Sequence, residues 1–243
     1  MAITPYLAMT AAEMGRISAL PEKVAWMACH FSPYSTGISN LPDFLPEGSM
    51  LILNDITPIH GHDPERIGKQ LAECVESNKS RNVLLDFQRF GCEETSGLVK
   101  YLVDTLSCPV GVSERYAAGL DCPVFLSPVP CHVPLREHIA PWKGRDIWLE
   151  IGLAGECLKL TEAGCDISCL SNGGSIEDGQ KEEDLHCHYH IELSEHEAQF
   201  TLWRSKDDLR KLLEEAEAFD IDTAVGLWQE LNWQESHRPD ARL

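Results

Sequence analysis

The sequence predicts an α/β protein of the TIM-barrel type, irregular or incomplete, with a small antiparallel β insertion. Three observations lead to this class. The length of 243 residues suits one barrel domain spanning residues 1–243. Short apolar runs recur, each ending in polar residues and followed by a turn or a helical pattern, as in parallel sheets. Residues 157–203 instead show the alternation that is typical of hairpins.

Seven apolar runs are candidate parallel strands of the barrel. A complete barrel has eight strands, and the sequence leaves open whether an eighth is present. The stretch 114–121 between two strands is also too short for a full helix. The candidate strands span residues 24–29, 50–53, 83–85, 109–112, 123–126, 146–149 and 224–227.

Three helices are predicted between these strands. Asp63 is an N-cap residue before Pro64 at the first helical position, and apolar residues then recur at helical spacing. A second helix shows a leucine stripe at every fourth residue from Leu98. The third begins after Ser205, and Asp208 three positions later completes a capping pattern.

The β insertion is predicted to contain two hairpins. The first turns at 162–164, and the second runs from 185 to 203 around a turn at 194–197. The stretch 171–184 is polar and is expected to be a mobile loop. The polar tail 233–243 is expected to be disordered.

Charge and composition exclude several classes of partner. Lys and Arg number 20 against 39 acidic residues, a formal net charge of −19, so the overall field repels nucleic acid and anionic membrane surfaces. No apolar run approaches the roughly 20 residues that span a bilayer. The first 20 residues lack the features of a signal peptide. We therefore expect a cytoplasmic protein whose ligand is a small molecule or an oligosaccharide.

The ten cysteines are expected to be reduced. They are scattered from Cys29 to Cys187 in a chain that is long enough to bury its own core. There is no Cys-x-x-Cys pair, which argues against a zinc ribbon or a thioredoxin-like centre.

Side chains at the carboxyl ends of barrel strands converge on one mouth, where active sites lie. Carboxylates gathered there could serve as the acid and base of glycosidic cleavage, or could pair structurally with arginines. Aromatic residues there could stack on sugar rings or belong to the core. The candidate catalytic acids are Asp55, Asp86, Glu114 and Glu150. The candidate substrate-binding residues are His30, Tyr34, Gln88, Arg89, Arg115 and Trp228.

Two histidine groups suggest an alternative metal site. His186, His188 and His190 would share one face of a strand, although they could simply form the polar side of the hairpin. His60 and His62 form a His-x-His pair in a loop. The preferred interpretation needs no metal or cofactor. The glycines at 173 and 174 are not followed by a helix, so a nucleotide site is not supported.

Two stretches resemble the family 18 glycoside hydrolases, the chitinase-like barrels. Residues 82–88 (NVLLDFQ) are similar to that family's catalytic strand, with its Asp-x-x-Asp-x-Asp-x-Glu pattern, and residues 205–231 resemble its last helix and final strand. The resemblance implies that Asp86 matches the last aspartate of the pattern and that Gln88 stands where the family has its catalytic glutamate. In the family this glutamate protonates the leaving oxygen, which a glutamine amide cannot do.

Three hypotheses follow from the sequence. The first is a carbohydrate-active barrel that binds sugar or uses a non-standard arrangement of acids. The second is a metal-dependent hydrolase that uses a histidine cluster. The third is a non-catalytic interaction protein.

Overall fold

The structure, a computed structural model, describes residues 3–59, 61–89, 93–170 and 179–231. It contains two sheets, and the five strands β9–β13 form the smaller one. In chain order the strands are β1 (Tyr6–Met9), β2 (Val24–Phe31), β3 (Ile38–Ser39), β4 (Met50–Asn54), β5 (Asn82–Asp86), β6 (Val110–Ser113), β7 (Val124–Leu126), β8 (Ile147–Ile151), β9 (Gly155–Thr161), β10 (Gly164–Cys169), β11 (Gln180–Glu182), β12 (Cys187–Leu193), β13 (Glu197–Trp203) and β14 (Thr223–Leu227).

The larger sheet is a closed barrel of eight parallel strands. Its order is β1-β14-β8-β7-β6-β5-β4-β2, and β1 also pairs with β2, which closes the ring. The short strand β3 adds antiparallel to β2 outside the ring. All seven predicted strands are present, so the predicted TIM-barrel-like class is confirmed. The eighth strand is β1, whose four residues lie between Pro5 and Thr10 and give too short a signal to identify.

The helices surround this barrel unevenly, and this is where the fold is irregular. In the described part of the chain no helix stands between β2 and β4, and residues 114–121 between β6 and β7 form turns. The helices are α1 (Ala11–Met14), α2 (Pro64–Asn78), α3 (Glu93–Thr105), α4 (Leu135–Ile139), α5 (Lys206–Ala218) and α6 (Trp228–Leu231), with a 3-10 turn at Ala140–Trp142. Among them, no helix of the described residues is both long and apolar enough to cross a membrane.

The three predicted helices form with the predicted caps. The Asp63 side chain accepts a hydrogen bond from the Glu65 amide at the start of α2. Ser205 and Asp208 make a reciprocal capping box at the start of α5. Helix α3 buries Leu98 and Leu102, but it ends one residue before Leu106.

The smaller sheet has the antiparallel order β10-β9-β13-β12-β11 and follows β8. Both predicted hairpins are present, β9 with β10 and β12 with β13. The polar stretch predicted to be a loop contains β11, which pairs with β12. The remaining polar residues 171–178 and the tail 233–243 lie outside the described residues.

The core has two layers separated by the barrel wall. The larger layer lies between the strands and the helices, and it includes Leu53, Leu85 and Leu149. The smaller layer fills the barrel interior with Ile52, Leu84, Phe125, Trp148 and other side chains. Because side chains alternate along a strand, neighbours in sequence belong to opposite layers. This alternation decides which residues reach the mouth.

Candidate functional site

A cavity of about 80 Å³ opens at the carboxyl ends of the barrel strands, directly above the apolar interior. Its lining is apolar except for three side chains, Asn54, Asp86 and Glu150. The full lining is Ala8, Met27, Ile52, Asn54, Leu84, Asp86, Phe125, Glu150, Val225, Gly226 and Leu227. The cavity thus presents two carboxyl groups and one amide on an apolar floor, a pattern that is typical of small-molecule sites.

Asp86 and Asn54 lie in one row across neighbouring strands. The register pairs His30 of β2 with Asn54 of β4, and Asn54 with Asp86 of β5. The Asn54 amide nitrogen donates to the Met27 carbonyl at 3.1 Å, and its oxygen accepts from the Ile56 amide at 3.2 Å. These bonds fix the orientation of Asn54 in the cavity wall.

Asp86 accepts a hydrogen bond from Gln88, the residue that stands at the catalytic glutamate position in the resemblance to family 18. The Gln88 side-chain nitrogen donates to Asp86 Oδ1 at 2.6 Å. Burial raises the pKa of Asp86, the Gln88 bond opposes the rise, and the charge of Asp55 adds to it. Gln88 therefore orients Asp86 as a hydrogen-bond donor.

Glu150, at the end of β8, is the second acid of the cavity. Burial, followed by the negative charges of Asp86 and Glu230, raises its pKa to about 7. A carboxyl group with this pKa holds its proton part of the time at neutral pH, which is the property that a general acid needs.

Asp55 is buried, and both of its carboxylate oxygens bind backbone. They accept from the Gln88 amide at 3.0 Å and from the Arg89 amide at 2.8 Å. The Arg89 guanidinium in turn donates to the carbonyls of Asp55 and Ile56, each at 2.7 Å. Asp55 and Arg89 together hold the loop that follows β5, and with it the backbone of Gln88.

The other predicted site residues lie around the mouth but do not line the cavity. Glu114 accepts a hydrogen bond from the Ser127 hydroxyl. Tyr34 is 96% exposed, and Arg115 is also exposed. Trp228 is half-buried at the first position of α6. His30 is half-buried and contacts the Ala28 carbonyl through Nδ1 at 3.1 Å.

The histidines of the insertion pair individually with carboxylates. The prediction that three of them share a strand face is wrong for His186, because it precedes β12 in a left-handed conformation with φ of 44°. His186 contacts Glu215, and His188 contacts the buried Asp208, each at 2.9 Å. Within the described ranges, no group of three or more potential ligands could hold a metal ion. His62 packs edge-on against Phe31, and His60 lies outside those ranges.

Neither Asn54 nor Met27 is among the candidate site residues chosen from the sequence, although Asn54 stands at the end of a predicted strand. The signal that identifies Asn54 is the alternation of β4, which places Ile52 and Asn54 on the inner face and directs Asp55 away from it. The same alternation places Asp86 and Glu150 on the inner faces of their strands, where they line the cavity. Met27 had no such signal, because the pairing of β2 with β4 shifts register between Trp26 and Cys29.

The solved structures most informative for comparison share this barrel. The chain has the fold of the family 18 glycoside hydrolases. A family 18 N-acetylglucosaminidase from Paenibacillus barengoltzii aligns with a TM-score of 0.62 at 9% identity, covering 97% of both chains. A class V chitinase from Nicotiana tobaccum aligns with a TM-score of 0.59 at 9% identity, covering 93% of both chains. A chitinase from Chromobacterium violaceum gives 0.55 at 10% identity, covering 97% of this chain and all of the other.

Neither a protein-family model nor a curated protein matches the sequence. At identities of about a tenth, the structural similarity establishes the fold and leaves the chemistry to this chain's own residues. The resemblance of residues 82–88 to the family 18 catalytic strand agrees with the fold, since these residues form β5, the fourth strand of the barrel, and its end.

Proposed function

We propose that this chain is a carbohydrate-active barrel that binds an oligosaccharide at its mouth, with Asp86 and Glu150 facing the sugar. The observation that carries the proposal is that these two carboxyl groups line one cavity at the carboxyl end of a barrel that has the fold of the family 18 glycoside hydrolases. A point mutant of the class V chitinase from Nicotiana tobaccum, which has the same fold, has been solved in complex with NAG4. A ligand of this class is the first one to test.

The size of the cavity limits which part of a sugar could enter it. A volume of about 80 Å³ is well below the roughly 300 to 1,000 Å³ of pockets that enclose a whole small-molecule ligand. The cavity therefore accepts a substituent of a sugar ring, and the ring itself would lie across the mouth. Asn54, Asp86 and Glu150 supply the donors and acceptors that a hydroxyl or acetamido substituent needs.

A second candidate is hydrolysis through a non-standard acid. Gln88 has no proton to give, so the usual family 18 route is not expected if it replaces the catalytic glutamate. Glu150 favours an alternative, because its pKa of about 7 keeps it partly protonated at neutral pH. In this candidate, Glu150 would protonate the leaving oxygen as the glycosidic C–O bond breaks, water would attack the anomeric carbon, and the ionised Asp86, oriented by Gln88, would accept the proton of that water.

The test of binding is isothermal titration with N-acetylchitotetraose, using cellotetraose as a control that lacks the acetamido groups. We expect Asp86→Asn and Glu150→Gln each to weaken binding about tenfold, the usual cost of a hydrogen bond to a charged or polar partner. Glu114→Gln, the same substitution outside the cavity, should retain wild-type affinity. Equal affinity in all four proteins would show that the sugar binds elsewhere, and no heat with either oligosaccharide would overturn the proposal.

The test of hydrolysis is the pH profile of turnover with aryl N-acetylglucosaminides. If Glu150 is the acid, activity falls as pH rises through about 7, and Glu150→Gln removes about 10² to 10⁴ of the rate. Turnover that survives this substitution would exclude Glu150 as the proton donor.

A further inference from the structure

Helix α6 lies at the mouth immediately after the last barrel strand, and its third residue contacts the segment that follows Glu150. Glu230 Oε2 accepts a hydrogen bond from the Leu153 amide at 2.7 Å. Leu153 is only three residues beyond Glu150 along the chain. The bond therefore holds the connection from the catalytic-candidate strand β8 to the β insertion.

Two neighbouring features define where the Glu230 carboxyl group sits. A Cβ at Gly152 would come within 3.0 Å of Glu230 Oε2, so the chain passes this oxygen closely at a residue without a side chain. The preceding residue of α6, Gln229, donates through its side chain to Glu13 Oε1 at 2.6 Å. Glu13 is itself held by the capping box of α1 with Thr10. Hydrogen bonds therefore connect α6 both to the segment that follows β8 and to α1.

We infer that Glu230 is a positioning residue for Glu150. Its hydrogen bond to the Leu153 amide fixes the connection that follows Glu150, and its carboxylate places a second negative charge near Glu150. The inference rests on the proposed function, in which Glu150 faces the sugar. It gives Glu230 two separable effects, one through the hydrogen bond to Leu153 and one through its charge.

The charges that face Glu150 support the second effect. The charges of Asp86 on β5 and Glu230 on α6 both raise the pKa of Glu150, after the larger contribution of burial. The neighbouring strands β7 and β14 contribute Phe125 and Val225 to the cavity, which carry no charge. Removing the charge of Glu230 should therefore make Glu150 easier to ionise.

Two substitutions separate the two effects. Glu230→Gln removes the charge and keeps an oxygen that can accept from the Leu153 amide, whereas Glu230→Ala removes both. Gln229→Ala is the matched control on the same helix, because it breaks the bond to Glu13 and leaves Glu230 intact. All three variants are first compared with the wild type by circular dichroism.

The readout is the titration of the Glu150 carboxyl carbon by NMR in protein labelled with ¹³C-glutamate, with Glu150→Gln used to assign the signal. We expect Glu230→Gln to lower the titration midpoint by roughly half to one pH unit and to leave oligosaccharide affinity near that of the wild type. Glu230→Ala should lower the midpoint similarly and weaken affinity about tenfold. Gln229→Ala should leave the midpoint in place.

An unmoved midpoint in Glu230→Gln, or the same movement in Gln229→Ala, would overturn the inference. The titration needs no sugar, so it gives an answer even if the oligosaccharide fails to bind. A moved midpoint without any binding would instead reject the proposed function and keep the electrostatic role of Glu230.

Discussion

Replacing Glu150 with glutamine should stabilise the protein at alkaline pH and have little effect at acidic pH. The folded protein holds the Glu150 proton up to about pH 7, whereas the unfolded chain releases it near the ordinary value of 4.5. Between these two values the folded state binds more protons, so its stability falls as pH rises. The glutamine side chain does not ionise, so the Glu150→Gln variant does not lose stability in this way as pH rises.

The size of the effect follows from the pKa difference. A rise from 4.5 to about 7, at about 1.4 kcal/mol for each pH unit, makes ionised Glu150 cost about 3 kcal/mol. This is a large share of the roughly 5 to 15 kcal/mol by which most domains are stable. At pH 8 it corresponds to a rise in Tm of about 6 to 12 °C in Glu150→Gln.

The assay is urea unfolding, followed by tryptophan fluorescence, of wild type and Glu150→Gln at pH 5 and pH 8. We expect the difference in the free energy of unfolding to widen by about 2 to 3 kcal/mol between these conditions. Asp86→Asn and the double variant complete a cycle, which should show coupling between the two residues at pH 8. A difference of the same size at both pH values would refute the reasoning, because the Glu150 carboxyl would then titrate normally.

Three further predictions concern other parts of the molecule. Wild-type protein should not turn over aryl N-acetylglucosaminides by the usual family 18 route, and Gln88→Glu should introduce measurable turnover that Gln88→Ala does not. Robust turnover by the wild type that persists in the Asp86→Asn variant would place the acid elsewhere. Asp55→Ala should lower the free energy of unfolding by about 2 to 4 kcal/mol in urea, because the Gln88 and Arg89 amides lose their acceptor, and Asp55→Asn should cost less. Thiol titration of denatured, unreduced protein should find close to ten free thiols, since the nine cysteines within the described residues are unpaired; finding several pairs oxidised in thiol-blocked lysate would contradict this.

The site could be predicted only in part, because strand ends indicate a region and not a direction. Asp55 and Asn54 are adjacent, yet Asn54 lines the cavity and Asp55 binds the loop after β5. A list of polar residues after each strand includes both. The alternation within β4 distinguishes them, but only once the inner face of the barrel is known. Glu114 directly follows β6, so alternation also separates it from Glu150, which shares the inner face of β8 with Trp148.

The sequence by itself determined the class of fold, seven of the eight barrel strands and the capped starts of α2 and α5. These features depend on local alternation, caps and turns, which neighbouring residues specify. Tertiary structure decided that Tyr6–Met9 closes the ring, that Asp86 and Glu150 share one cavity, and that Glu230 stands beside them. These residues come from distant parts of the chain, and only the closure of the barrel brings their side chains together. The raised pKa of Glu150 has the same origin, since burial and neighbouring charges exist only after the strands have assembled.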